Sequence, residues 1–201
     1  MLEQIPDVPG VHLDLDAYLR DFRQEFEHGG DIFAKLERAQ TFREPGDPSW
    51  EAFAAGDWQR ALELNEEDRP SAVGMIDTYR RLGYATQRIR VVEFPISPYL
   101  QWEIQFLRLL AEAGQDIRVL RGERAAEFEA HRPLPELVII GDRVLYEVLY
   151  DDSGTPAGGR RIDDRKVIAG CRRDVAKLYA QGEPLLAFYD QHIAPLPPPI
   201  V

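Results

Sequence analysis

The residues best suited to chemistry fall between Arg88 and Arg118. Arg88 and Arg90 alternate along an apolar run, Glu103 follows among Tyr99 and Trp102, and Arg118 sits in a second apolar run. Guanidinium forks bind carboxylates and phosphates through two parallel hydrogen bonds. A carboxylate held beside them, with its pKa raised, serves as a general acid or base. The stretch reads as an anion or substrate pocket with Arg88, Arg90, Glu103 and Arg118 as polar groups and Tyr99, Trp102 and Tyr146 as walls. Glu103 is the candidate catalytic group. The competing reading is a buried ion pair that fixes a helix on a sheet, with the arginines otherwise facing solvent.

Other signatures are missing. The chain contains neither GxxxxGK(S/T) nor GxGxxG, so no phosphate-cradling loop is indicated. It has no GxSxG elbow. His12, His28, His131 and His192 are scattered, and with Cys171 the only cysteine, neither a metal site nor a cofactor is expected. Cys171 stands beside Arg172 and Arg173, which suits either a reactive thiol or a packed one. Asp151-Asp152-Ser153-Gly154 reads as a turn. Trp50 and Trp58 flank a helical corner, as core anchors or a partner surface. The run PLPPP at 195–199 reads as an extended tail or a polyproline ligand.

The elements that position these groups follow from periodicity and punctuation. Asp14 or Asp16 caps a helix to about Glu27, which ends at Gly29-Gly30. Residues 32–42 fit strand or helix. Short helices follow from Ser49 and Gly56, and another from Ser71 to Leu82. Thr86–Phe94 alternates as a strand. Ser97-Pro98 opens a helix from Tyr99 to Ala113, closed by Gly114. On its apolar face Tyr99, Phe106, Leu110 and Ala113 are joined by Glu103, which must there be paired, hydrogen-bonded or protonated. Asp116–Leu120 is the next strand and 123–131 is helix-like. Leu137–Ile140 and Val144–Tyr150 form strands joined by a tight turn, 159–162 is an edge strand, and Asp163 or Asp164 caps a helix from 165 to 181. Residues 1–13 read as a loose leader.

The order predicts an α/β (α+β) protein, a mixed sheet flanked by helices. Its expected parts are a mostly helical segment at 1–84 packed on the main domain, an α/β domain at 85–190 and a proline-rich tail at 191–201. The chain has 201 residues and a net charge of −11, and its first 70 residues hold 17 acidic against 7 basic side chains. Such an acidic surface disfavours nucleic acid, and its acidic front half reads as a solvated, solubilising surface or as a face for a basic protein partner. No stretch reaches the roughly 18 apolar residues of a membrane span, and the start is no signal peptide, so a cytoplasmic protein is expected.

Several segments together resemble an uncharacterised domain family of streptomycetes and related actinobacteria. They are Arg88-Ile89-Arg90-Val91-Val92 with Pro95, Tyr99-Leu100-Gln101-Trp102-Glu103, the run Ala113–Val119, Tyr150-Asp151-Asp152-Ser153-Gly154 and the run Trp50–Asp57. The resemblance covers roughly residues 30–190 and is most specific at 88–119. Members are often encoded beside helix-turn-helix regulators. Glu136–Asp142 departs from the aromatic, aspartate-rich segment the family commonly carries there. The strand order also resembles half of a phospholipase D-like fold. That superfamily's catalysis needs a histidine with a lysine two residues on, and none of the four histidines here has one.

Two functions are therefore expected. The first is a non-catalytic regulatory or interaction protein, as a monomer or a homodimer, acting on a protein partner such as a helix-turn-helix regulator. The second is an enzyme or binding protein of specialised metabolism that takes a small anionic molecule in the Arg/Glu/Tyr pocket.

Overall fold

A computed structural model describes residues 1–200. Eight strands form one mixed sheet: β1 (Val11–Asp14), β2 (Ile32–Glu37), β3 (Ala85–Val92), β4 (Ile117–Arg121), β5 (Leu137–Ile140), β6 (Val144–Tyr150), β7 (Pro156–Ile162) and β8 (Glu183–Pro184). Their spatial order is β1-β7-β6-β5-β2-β3-β4-β8. β2, β3 and β4 run parallel, and the remaining pairings are antiparallel. The expected α/β class is found.

Helices cover both faces of the sheet. On one face lie α1 (Leu15–Glu27), α4 (Arg69–Arg81), α5 (Pro98–Glu112) and the short α8 (Leu185–Phe188). The other face is covered by α7 (Arg165–Gln181), the single turn α6 (Gly122–Ala125) and a 3-10 turn at Leu2–Asp7. Alternation along the strands divides the core accordingly. Phe33, Val92, Ile117, Val138 and Tyr146 face α1, α4 and α5, while Leu36, Ile89, Val91, Ile139 and Leu145 face α7. A third cluster, Phe42, Phe53, Ala61, Tyr99 and Trp102, joins the corner of α2 (Pro48–Ala54) and α3 (Trp58–Glu67) to α5.

The expected caps hold at three helices: Asp14 on α1, Ser97 on α5 and Asp164 on α7 each accept backbone N–H bonds. At the helical corner the caps are Asp47 and Asp57, and α4 begins at Arg69 ahead of Ser71. Ser49 instead donates to the Ala61 carbonyl and accepts from the Trp102 indole.

Three expectations are corrected. The leader is not loose: Leu2 and Ile5 are buried, and Arg160 binds the Ile5 and Val8 carbonyls while holding Glu147. β7 is an interior strand, because β1 pairs along its outer side. The helix-like stretch 123–131 forms only α6 and a 3-10 turn at Ala126–Phe128. In addition, residues 1–84 supply two strands besides their helices. One of these, β2, lies between β5 and β3 near the middle of the sheet. Among the described residues no helix is long and apolar enough to cross a membrane.

Candidate functional site

The site forms where β2 and β3 run side by side. Their register sets Lys35 beside Arg88 and Glu37 beside Arg90, all four on the face toward α5. Glu37 accepts from Arg88 Nε at 2.6 Å and Nη2 at 2.8 Å, and Lys35 Nζ reaches its Oε1 at 2.7 Å. Burial alone would raise the Glu37 carboxyl, but the Arg88 and Lys35 charges outweigh it and hold Glu37 well below the usual carboxylate range.

The expected ion pair is present and specific. Glu103 reaches down from α5 and accepts from Arg90 Nε at 2.6 Å. Arg90 is fully buried and Glu103 nearly so. Arg90 also donates through Nη1 to the carbonyls of Glu37 and Val91, and its Nη2 has no partner. Tyr99 donates to Glu44 at 3.0 Å and lies 3.5 Å from Glu103. Burial pushes the Glu44 carboxyl up, more than the Tyr99 hydroxyl pulls it down.

Two lobes of one cleft open above these pairs. The smaller, about 220 Å³, is lined by Glu37, Glu44, Asp47, Tyr99, Trp102 and Glu103 among others. The larger, about 390 Å³, is walled by Tyr18 and Phe22 of α1, Phe33, Tyr79 of α4, Val138 and Val148 among others. Lys35, Arg88, Phe106 and Tyr150 line both lobes and so mark their junction. The aromatic wall follows from sequence spacing. Tyr18, Phe22 and Phe26 recur every four residues along α1; Phe22 and Phe26 stack, and the three rings meet Phe33 and Tyr146 edge to face. Tyr18 comes close to the sheet because β7 has Gly159 there: a Cβ would stand 2.7 Å from its ring.

The structure gathers Arg88, Arg90, Tyr99, Trp102 and Glu103 and separates Arg118 and Tyr146 from them. Arg118 pairs in register with Ile89, so it faces α7, with its guanidinium 5.3 Å over the Tyr179 ring. Tyr146 shares the face of Arg88 but lies on β6, where it donates to Asp21 at 2.6 Å. The Trp102 indole N–H is spent on Ser49 at 2.9 Å. Lys35, Glu37, Glu44, Tyr18, Tyr79 and Tyr150 were not anticipated. Phe33, Lys35 and Glu37 alternate, and taking 32–37 as a strand would have put the two charges on one face.

Elsewhere, Cys171 is buried, and burial pushes its thiol up to about 12, the state of a packed thiol. Trp50 and Trp58 pack against the third core cluster. Asp151 forms the expected turn, accepting from the backbone of Ser153 and Thr155. Among the described residues no cluster of histidine, cysteine and carboxylate groups suits a metal ion.

Fold and site together define an α/β protein with helices on both faces of a mixed sheet and a charged, tyrosine-lined cleft over the sheet's centre. The chain belongs to the family DUF6879, a domain of unknown function, whose model matches residues 20–190. That span holds every residue named in the cleft except Tyr18. No curated protein matches the chain.

Proposed function

We propose that the protein is a non-catalytic regulatory module, which takes a small molecule into the cleft and acts on a protein partner. The observation that carries this reading is the cleft floor. Its ionised groups are tied to one another, Lys35 and Arg88 to Glu37 and Arg90 to Glu103. Neutralising Arg90, Glu37 or Glu103 leaves a buried charge without its partner, which is costly. Groups so tied hold and orient a ligand better than they convert one.

The partner belongs to the same proposal. The acidic first third favours a basic protein, and α3 presents exposed Glu63 and Glu67. The sequence resemblance to an actinobacterial family often encoded beside helix-turn-helix regulators points to such a regulator, in the cytoplasm. The half phospholipase D-like fold belongs to the same reading, as a scaffold whose groove serves binding. The test is co-purification with the nearest encoded helix-turn-helix regulator, followed by sedimentation of the mixture. A complex weakened by charge reversal at Glu63 and Glu67 supports the reading. Two independent sedimenting species count against it.

Glu44 favours a second reading, an enzyme of specialised metabolism. A carboxyl raised by burial, beside Tyr99 in the smaller lobe, suits general acid–base work. Substrate turnover abolished by Glu44→Gln, with the fold retained, is its test.

A further inference from the structure

The larger lobe has a polarity of its own. Its ionised lining groups are Lys35 and Arg88, and they share the single carboxylate of Glu37 behind them. Within this lobe the positive charge therefore exceeds the negative by one. Glu44, the other carboxyl near Lys35, lines only the smaller lobe. Arg88 spends Nε and Nη2 on Glu37 and keeps Nη1, and Lys35 spends one of its three N–H groups.

Three tyrosine hydroxyls join these donors. Tyr18 and Tyr79 are only 9% and 7% exposed, yet neither hydroxyl has a hydrogen-bond partner among the described residues, nor has that of Tyr150. None of the three oxygens is sealed from solvent, so each hydroxyl opens onto the cleft with no protein acceptor. Burial raises all three phenols, Tyr18 to about 12, so each keeps its proton and can donate. All three tyrosines line this lobe together with Lys35 and Arg88. The remaining lining is apolar, including Phe22, Phe33, Leu110, Val138 and Val148.

We propose that this lobe binds an aromatic carboxylate, its acid group on Lys35, Arg88 and the tyrosine hydroxyls and its ring between α1 and α4. The ligand's negative charge cancels the surplus positive one, and its oxygens accept from donors that otherwise lack partners. A cation there meets the like charges of Lys35 and Arg88, and only the tyrosine oxygens could accept from it. The volume of about 390 Å³ lies within the ordinary range of small-ligand pockets. This names the ligand of the ligand-binding regulatory reading and rests on it.

The test is titration of the full chain with 2-naphthoate, 2-naphthalenemethanol and 2-naphthylmethylamine, followed by calorimetry and amide NMR. The acid is expected to bind at least about tenfold tighter than the alcohol, the worth of one charge-assisted hydrogen bond. Lys35→Met, which keeps the stem and removes the charge, should erase that advantage and leave the alcohol's affinity in place. Tyr79→Phe, which removes one oxygen from a packed ring, should weaken the acid by a few fold. Amine binding equal to or tighter than that of the acid, or an acid indifferent to Lys35→Met, overturns the ligand class while the cleft remains a binding site. If none of the three binds but the regulator complex forms, the proposed ligand is wrong and the partner reading stands. If a probe binds as expected but no regulator does, the reverse holds.

Discussion

Arg90 sits fully buried with one nitrogen on Glu103 and another unpartnered, so its charge depends on one carboxylate and two carbonyls. Removing one partner of such a pair strands the other charge away from water. Glu103→Gln is expected to cost about 3–5 kcal/mol in urea unfolding. Replacing both with apolar groups, Arg90→Met with Glu103→Leu, should recover most of that loss. Glu136 gives a pH signature of the opposite kind. Burial pushes its carboxyl up to about 7, although it accepts the backbone N–H groups of Arg38 and Ala39. Its folded pKa lies above its unfolded one, so its contribution to stability is full below about pH 4.5 and is lost as pH rises toward 7. Glu136→Gln keeps an acceptor for the two N–H groups and removes the titration. The stability of the variant relative to the natural chain should therefore rise across that window, by up to about 3 kcal/mol, in thermal melts at stepped pH. An unchanged difference across the window sinks this assignment.

Among the elements, β7 sets the cleft's outer wall by what it lacks. Gly159 leaves room for the Tyr18 ring, and a methyl there forces the ring or the strand to shift. Gly159→Ala should destabilise the protein by about 1–3 kcal/mol, as overpacking does, and perturb the amide signals of α1. The helices were the legible part of the sequence, because their signals are local. Ser97, Pro98 and Gly114 bracket α5, and Asp164 opens α7. The hairpin of β5 and β6 was likewise legible, as two apolar runs joined at Gly141. β1 was not, since its residues are mostly exposed and only pairing with β7 makes them a strand. The same division runs through the site. That Arg88 and Arg90 share a face is local alternation, and Glu103 on the α5 core face is local helical spacing. The partner of Arg88 is Glu37, 51 residues earlier, and no local rule reaches it. Arg118 was placed wrongly for a related reason: the register of β4 on β3 sets it beside Ile89, and so on the far face.

At the scale of the whole molecule, the position of β2 decides how the chain behaves as a unit. It pairs with β3 on one side and β5 on the other, so the two groups of strands after residue 84, β3-β4-β8 and β5-β6-β7, meet only through a strand from before it. A fragment of residues 85–201 would leave both of those ladder edges open. It would also lose Glu37 from beneath Arg88, and Tyr18, Ile76 and Tyr79 from the core. Unpaired strand edges and an uncompensated buried arginine are each destabilising, and exposed edges invite aggregation. The fragment is therefore expected to be unfolded or aggregated, with collapsed amide dispersion in NMR. The full chain should unfold in one step, with fluorescence from Trp50, Trp58 and Trp102 and far-ultraviolet dichroism giving the same denaturant midpoint. A folded fragment, or two separated midpoints, would mean that the first 84 residues form a lobe of their own. Coincident midpoints make the cleft, which takes α1, α4 and β2 from one side of residue 84 and β3, α5 and β6 from the other, part of a single cooperative unit. A ligand bound there then stabilises the whole chain against unfolding, so elements on both sides of residue 84 should melt later together when it is present.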